Sequence, residues 1–123
     1  EKLCPVIQLF PYESFEQAVA DAKTNLLWEG AGHTSVIYTN DTEKAEYVGH
    51  ELPVGRLVVN QAGGAASGGN YINGLHPTMS LGCGSWGNNS ISENLTYKHL
   101  MNTTRLAYYH DCTMPELDEV WKL

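Results

Sequence analysis

Apolar positions along the first sixty residues switch between strand-like runs and helix-like spacing. VIQLFPY, residues 6–12, is a continuous β-prone run closed by Pro11, the signature of a strand. From Ser14 the spacing widens. Phe15, Ala18, Val19, Ala22 and Leu26 recur every three or four residues, with Glu16, Asp21 and Lys23 on other faces. One stripe of a helix is therefore apolar. Ser14 and Gln17 make an S-x-x-Q capping box at its start, which satisfies amides that a first helical turn leaves unpaired. The pattern predicts a helix over 14–27 that stops at Gly30. TSVIYT, 34–39, reads as a short buried strand. Asn40 and Glu43 form a second cap pair, and Ala45, Val48 and Leu52 give a short amphipathic helix ended by Pro53. RLVVN, 56–60, is a third strand.

Strand, helix, strand, helix, strand implies parallel strands joined by crossover helices, an α/β layer structure. Functional groups in such folds gather in loops at the carboxyl ends of strands. Beyond residue 60 the pattern is less regular. Residues 61–88 are glycine-rich and hold little that would form a long element, and a loop of that length inside a domain is usually functional or wrapped around something larger. Ser90 and Glu93 read as a third capping box, before a helix carrying Ile91, Leu95 and Leu100. TRLAYYH, 104–110, reads as a fourth strand, and DCTMPELDEVWKL as an acidic surface tail. No internal repeat is visible.

Composition narrows the function classes. The chain has 123 residues, 42% hydrophobic and 17% charged, the balance of one globular domain. A net charge of −7 with seven scattered Lys and Arg argues against nucleic acid, which needs clustered cations, and against anionic lipid. No apolar run reaches the length of a membrane span. Cys4, Cys83 and Cys112 form no CxxC pair, and the five histidines never fall at metal-ligand spacing. No metal site is expected. Asn-x-Ser/Thr triplets occur at Asn40, Asn88, Asn94 and Asn102. With no signal segment before them, and with Asn88 and Asn94 at an expected helix start, a cap role and a reducing, cytoplasmic setting are expected. The chain opens on Glu1 and enters a strand pattern almost at once, as expected of a processed chain or one cut from something longer.

Four places bear on chemistry. GGAASGG, 63–69, lacks the Lys-Ser/Thr and the spacing of a phosphate loop, so turns and close backbone approach explain its glycines better. His33 directly precedes a buried strand; it is either structural or placed for proton transfer. Glu1 by itself is an exposed terminal acid. Cys83 lies between two glycines. That setting fits a reactive thiol or a small residue where backbone approaches a ligand, and no neighbouring cation favours the thiolate.

EKLCPV, the capped helix, GAGHTSVIYTN, RLVVNQ and LGCGSWGNNSISENLTYKHL together resemble the CoA-acylating branch of the aldehyde dehydrogenase superfamily. This branch holds the acetaldehyde, propionaldehyde and sulfoacetaldehyde enzymes and the dehydrogenase half of bifunctional aldehyde–alcohol dehydrogenases. The resemblance runs from Glu1 to about Tyr109, and LGCGSWGNNS and GHTS are its specific motifs. It implies a cysteine thiolate that attacks the aldehyde, hydride transfer to NAD or NADP, and release of the enzyme thioester by coenzyme A. His33 would handle a proton or stabilise the oxyanion. Glu1 would accept hydrogen bonds from the nicotinamide ribose. Asn60 and Cys83 would line the substrate tunnel, with Cys83 matching a motif cysteine that is not the family's nucleophile.

The attacking cysteine and the dinucleotide-binding domain of that family precede the segment resembled here. The chain thus reads as a C-terminal portion of the enzyme, inactive alone. Residues 1–103 would belong to the catalytic domain, and 104–123 would form an oligomerisation-type strand and acidic tail. The expected partners are an aldehyde, coenzyme A, the rest of the same enzyme and further copies of it. A non-catalytic interaction module on the same scaffold is the alternative, and a small secreted glycoprotein a third. An incomplete sheet with too few helices to cover both faces should expose a large apolar surface.

Overall fold

The structure, a computed structural model, describes residues 4–116 and 120. Helix α1 spans Phe15–Trp28, and the Ser14 hydroxyl accepts from the Gln17 amide at 3.1 Å. The Gln17 side chain reaches back one residue further than expected and accepts from the Glu13 N–H at 3.1 Å. Strand β1 covers Gly32–Ile37 and helix α2 Thr42–Glu51. The cap of α2 is Asp41 rather than Asn40, its carboxylate accepting from Lys44 N at 3.2 Å. An anionic acceptor at a helix N-terminus is also favoured by the dipole. Strand β2, Val54–Val59, pairs parallel to β1, with Thr34 opposite Arg56 and Val36 opposite Val58. Two parallel strands joined through α2 make the expected α/β crossover unit. A four-residue helix α3, Gly63–Ala66, follows.

Both longer helices turn their apolar stripes onto the same side of the strand pair. Val19, Val48 and Leu52 are buried there, with Phe15, Ala22 and Leu26 from α1 and Ile37, Val54 and Leu57 from the strands packed around them. Lys23 and Glu51 tie α1 to α2 at 3.0 Å, but both are about half exposed, so that pair adds little. The core is open. A hollow of about 610 Å³ borders Phe15, Val19, Ile37, Val48 and Leu52 themselves. No large side chain among the described residues falls below 2% exposure.

Three expected elements do not form. Residues 6–12 carry no strand, and Val6, Ile7, Leu9, Phe10 and Tyr12 are exposed. Residues 104–110 likewise carry no strand and are exposed throughout. A strand exists only through ladder bonds to a neighbour, and neither segment pairs with an edge of the two-stranded sheet. The helix expected after Ser90 is replaced by irregular chain that pairs with the preceding glycine loop, leaving only a 3-10 turn at Tyr97–Leu100. The result is a chain with 10556 Å² of accessible surface, against about 6,600 Å² for a compact monomer of its mass. The expected apolar exposure is present. Trp28, Tyr71, Ile72 and Met79 all lie on the surface. Among the described residues no helix is long and apolar enough to cross a membrane.

Candidate functional site

Away from the helices, the other side of the strand pair is covered by the chain after residue 66. Residues 80–84 fold against 91–95 as an antiparallel clasp. Gly82 N donates to Glu93 O at 3.1 Å, Gly84 N to Ile91 O at 2.8 Å and Leu95 N to Ser80 O at 3.0 Å. Asn89 closes the far end, its side-chain oxygen accepting from Cys83 N at 3.2 Å while its amide donates to Gly87 O at 2.9 Å. The Asn and Ser chemistry that reads as a helix cap instead holds a loop shut, a role these side chains fill equally well.

The clasp lies directly on the start of β1. Gly32 adopts φ +84°, and a Cβ there would run into the Cys83 carbonyl. Glycine is thus required both by conformation and by close approach. This contact brings together two residues fifty positions apart. Cys83 is buried, and its Sγ lies 3.6 Å from Nδ1 of the exposed His33. Nε2 of His33 has no hydrogen-bond partner among the described residues. Cys4 and Cys112 are free and exposed, and Cys83 is free as well. No cluster of His, Cys, Asp and Glu among the described residues could hold a metal ion.

Two buried polar residues, neither marked as a site residue by the sequence pattern, hold the arrangement. Arg56, on β2, donates to Gly82 O at 2.9 Å, to Gly32 O at 3.3 Å and to Thr34 Oγ1 at 3.2 Å. Asn94 accepts from Arg56 at 3.4 Å and donates to Ser67 O at 3.0 Å and His76 O at 2.8 Å. No buried side-chain polar atom among the described residues lacks a partner.

The clasp, the glycine contact and the His33–Cys83 pair can be placed against known proteins. No protein-family model matches the chain. It is 50% identical over 122 residues to the acetylating succinate-semialdehyde dehydrogenase of Clostridium kluyveri, covering 98% of this chain and 27% of that protein. It is 42% identical over 107 residues to the acylating sulfoacetaldehyde dehydrogenase of Cupriavidus necator, covering 87% of this chain and 22% of that one. Its fold matches a probable aldehyde dehydrogenase from Listeria monocytogenes EGD-e with a TM-score of 0.82 and 34% identity, over 98% of this chain and 25% of the other. Nearly the whole chain is thus similar to one stretch of acylating aldehyde dehydrogenases. It spans about a quarter of the length of the relatives it matches.

Within this segment, the expected site residues part company. His33 and Cys83 meet. Asn60 does not join them. It ends β2 at φ 54°, and its amide is taken up by Thr39, accepting from Thr39 N at 2.9 Å and donating to Thr39 O at 2.8 Å. Glu1 lies outside the described residues. The signal that could have found Arg56 is its charge at the head of the apolar run RLVVN. A cation entering a buried strand needs a full set of acceptors. Asn94 gave no such signal, because in sequence it is indistinguishable from a cap.

Proposed function

We propose that this segment forms one wall of the active site of an enzyme that converts an aldehyde, coenzyme A and NAD or NADP to an acyl-CoA and the reduced dinucleotide. The reaction runs through a cysteine thioester, and the attacking cysteine lies in sequence outside this chain. The observation that carries the reading is the His33–Cys83 contact at 3.6 Å. Imidazole nitrogen is a better acceptor than a thiol sulfur, so the Cys83 S–H donates to Nδ1. That choice places the ring proton on Nε2, the unpartnered nitrogen of an exposed side chain. His33 then presents a donor to the oxygen that becomes negative as a thiohemiacetal forms or a thioester is attacked, which is oxyanion stabilisation. Cys83, buried beneath the ring, orients it and contributes to the tunnel wall.

The dinucleotide serves as hydride acceptor. Gly68 and Gly69 do not fit its phosphates, since they pack against the backbone of Thr78 and His76. Glu1 is the residue of this chain proposed to meet it, at the ribose hydroxyls. Asn60 is proposed beside the tunnel as a clamp on the Thr39 turn. Residues 1–103 are assigned to the catalytic domain. Residues 104–110, unpaired here, are proposed to add as a strand across the boundary between copies of the enzyme, with 111–123 as the acidic tail. A cytoplasmic setting is proposed with them, and the charge of −7 supports small-molecule partners over nucleic acid or membrane.

In the complete enzyme, His33→Ala should lower acyl-CoA formation about a hundredfold while dinucleotide affinity stays within about twofold. Unchanged turnover would return His33 to a structural role, whereas a complete wild-type protein that forms no acyl-CoA would favour a non-catalytic interaction module.

A further inference from the structure

Arg56 is 5% exposed, and a guanidinium carries five N–H donors. All five have acceptors. Nη1 reaches Gly82 O at 2.9 Å and Asn94 Oδ1 at 3.4 Å, Nη2 reaches Gly32 O at 3.3 Å and His33 O at 3.4 Å, and Nε reaches Thr34 Oγ1 at 3.2 Å. Not one of these acceptors is a carboxylate. A cation saturated in this way has no donor left for an anionic substrate or cofactor, so a ligand-binding role is closed to it.

Its acceptors are not random. Gly32 O and His33 O are the carbonyls on either side of the His33 α-carbon, and Gly82 O is the carbonyl immediately before Cys83. One rigid, planar group therefore grips the backbone at both ends of the thiol–imidazole contact. Asn94, itself 4% exposed, anchors the fork from the third side through Ser67 O and His76 O. Burying a charge against neutral dipoles is unfavourable compared with an apolar residue of similar volume. Packing alone would not place arginine here.

We propose that Arg56 is a positioning residue, whose guanidinium sets the spacing of His33 and Cys83 and through it the tautomer of the His33 ring. The catalytic consequence rests on the reading of His33 given above; the geometric one does not. Lysine keeps the charge but has a single nitrogen on a flexible stem, which cannot span two backbones in one plane.

The test uses the complete enzyme with Arg56→Lys. Alkylation of the Cys83 thiol by iodoacetamide, followed by mass spectrometry of the peptide that contains it, should speed up about tenfold as the clasp loosens from β1. Over the same change, kcat should fall about tenfold while the KM for dinucleotide stays within about twofold. A residue that only adds stability would lower the melting temperature and leave Cys83 labelling of the folded enzyme unmoved. Should Arg56→Lys fail to fold, Thr34→Val removes only the Nε acceptor and should speed labelling about twofold. Cys83 labelling at the wild-type rate in the folded variant overturns the proposal, whatever the turnover. Full turnover in His33→Ala together with faster Cys83 labelling in Arg56→Lys retires the His33 reading and upholds the positioning role.

Discussion

The two faces of the β1–β2 pair are held by different forces. On one, α1 and α2 lay apolar stripes against Ile37, Val54 and Leu57. Cohesion there is non-directional and graded with area. On the other, Arg56, Asn89 and Asn94 bind loop carbonyls and amides one by one. Cohesion there is directional, and each buried partner that is lost leaves another polar group unsatisfied. The helix face tolerates being open, as its 610 Å³ hollow shows. The loop face tolerates almost nothing, since Gly32 meets the Cys83 carbonyl with no room for a methyl group.

The contrast can be broken or sharpened experimentally. The largest effect concerns the polypeptide of residues 1–123 by itself. With 10556 Å² exposed, it should bind a hydrophobic dye or self-associate, and a sharply melting, dye-silent monomer in sedimentation would contradict the open-face description. Next, in the complete protein, Gly32→Ala should cost about 3 kcal/mol or more in denaturant unfolding, because a positive φ and a backbone collision coincide. Asn94→Ala should cost about 2–3 kcal/mol, as two carbonyls and one guanidinium N–H lose their partner. On the helix face Val48→Ala should cost only about 1 kcal/mol, since the open hollow already spares much of the cavity penalty. Ser14→Ala should cost about 1 kcal/mol or less, the ordinary loss of one N-cap. If Val48→Ala proved more damaging than Asn94→Ala, the ranking of the two faces would be reversed.

Legibility followed the same division. The helix face could be read from spacing: Ser14, the Phe15–Leu26 stripe and the Val48–Leu52 pair all land where periodicity places them, with only the α2 cap shifted from Asn40 to Asp41. The loop face could not. Ser90, Glu93 and Asn94 carry the letters of a helix start, yet Asn94 is buried as a cross-brace and residues 91–95 pair with 80–84. Local cap chemistry and loop-closing chemistry use the same side chains, and only long-range contacts choose between them. Of the site residues, His33 and Cys83 were each visible as candidates, but their contact was not.

Sequence alone determined the crossover unit, because hydrophobic period and cap residues are local properties that bias a short segment whatever surrounds it. It also determined the family resemblance, through motifs that stand contiguous in the chain. Tertiary structure decided which apolar runs become strands, since 6–12 and 104–110 have strand letters yet pair with neither edge of the β1–β2 sheet. It decided, too, that residues fifty and thirty-eight positions apart should meet around one guanidinium. A hydrogen bond depends on where its partner is, and position in space is what a linear pattern does not contain.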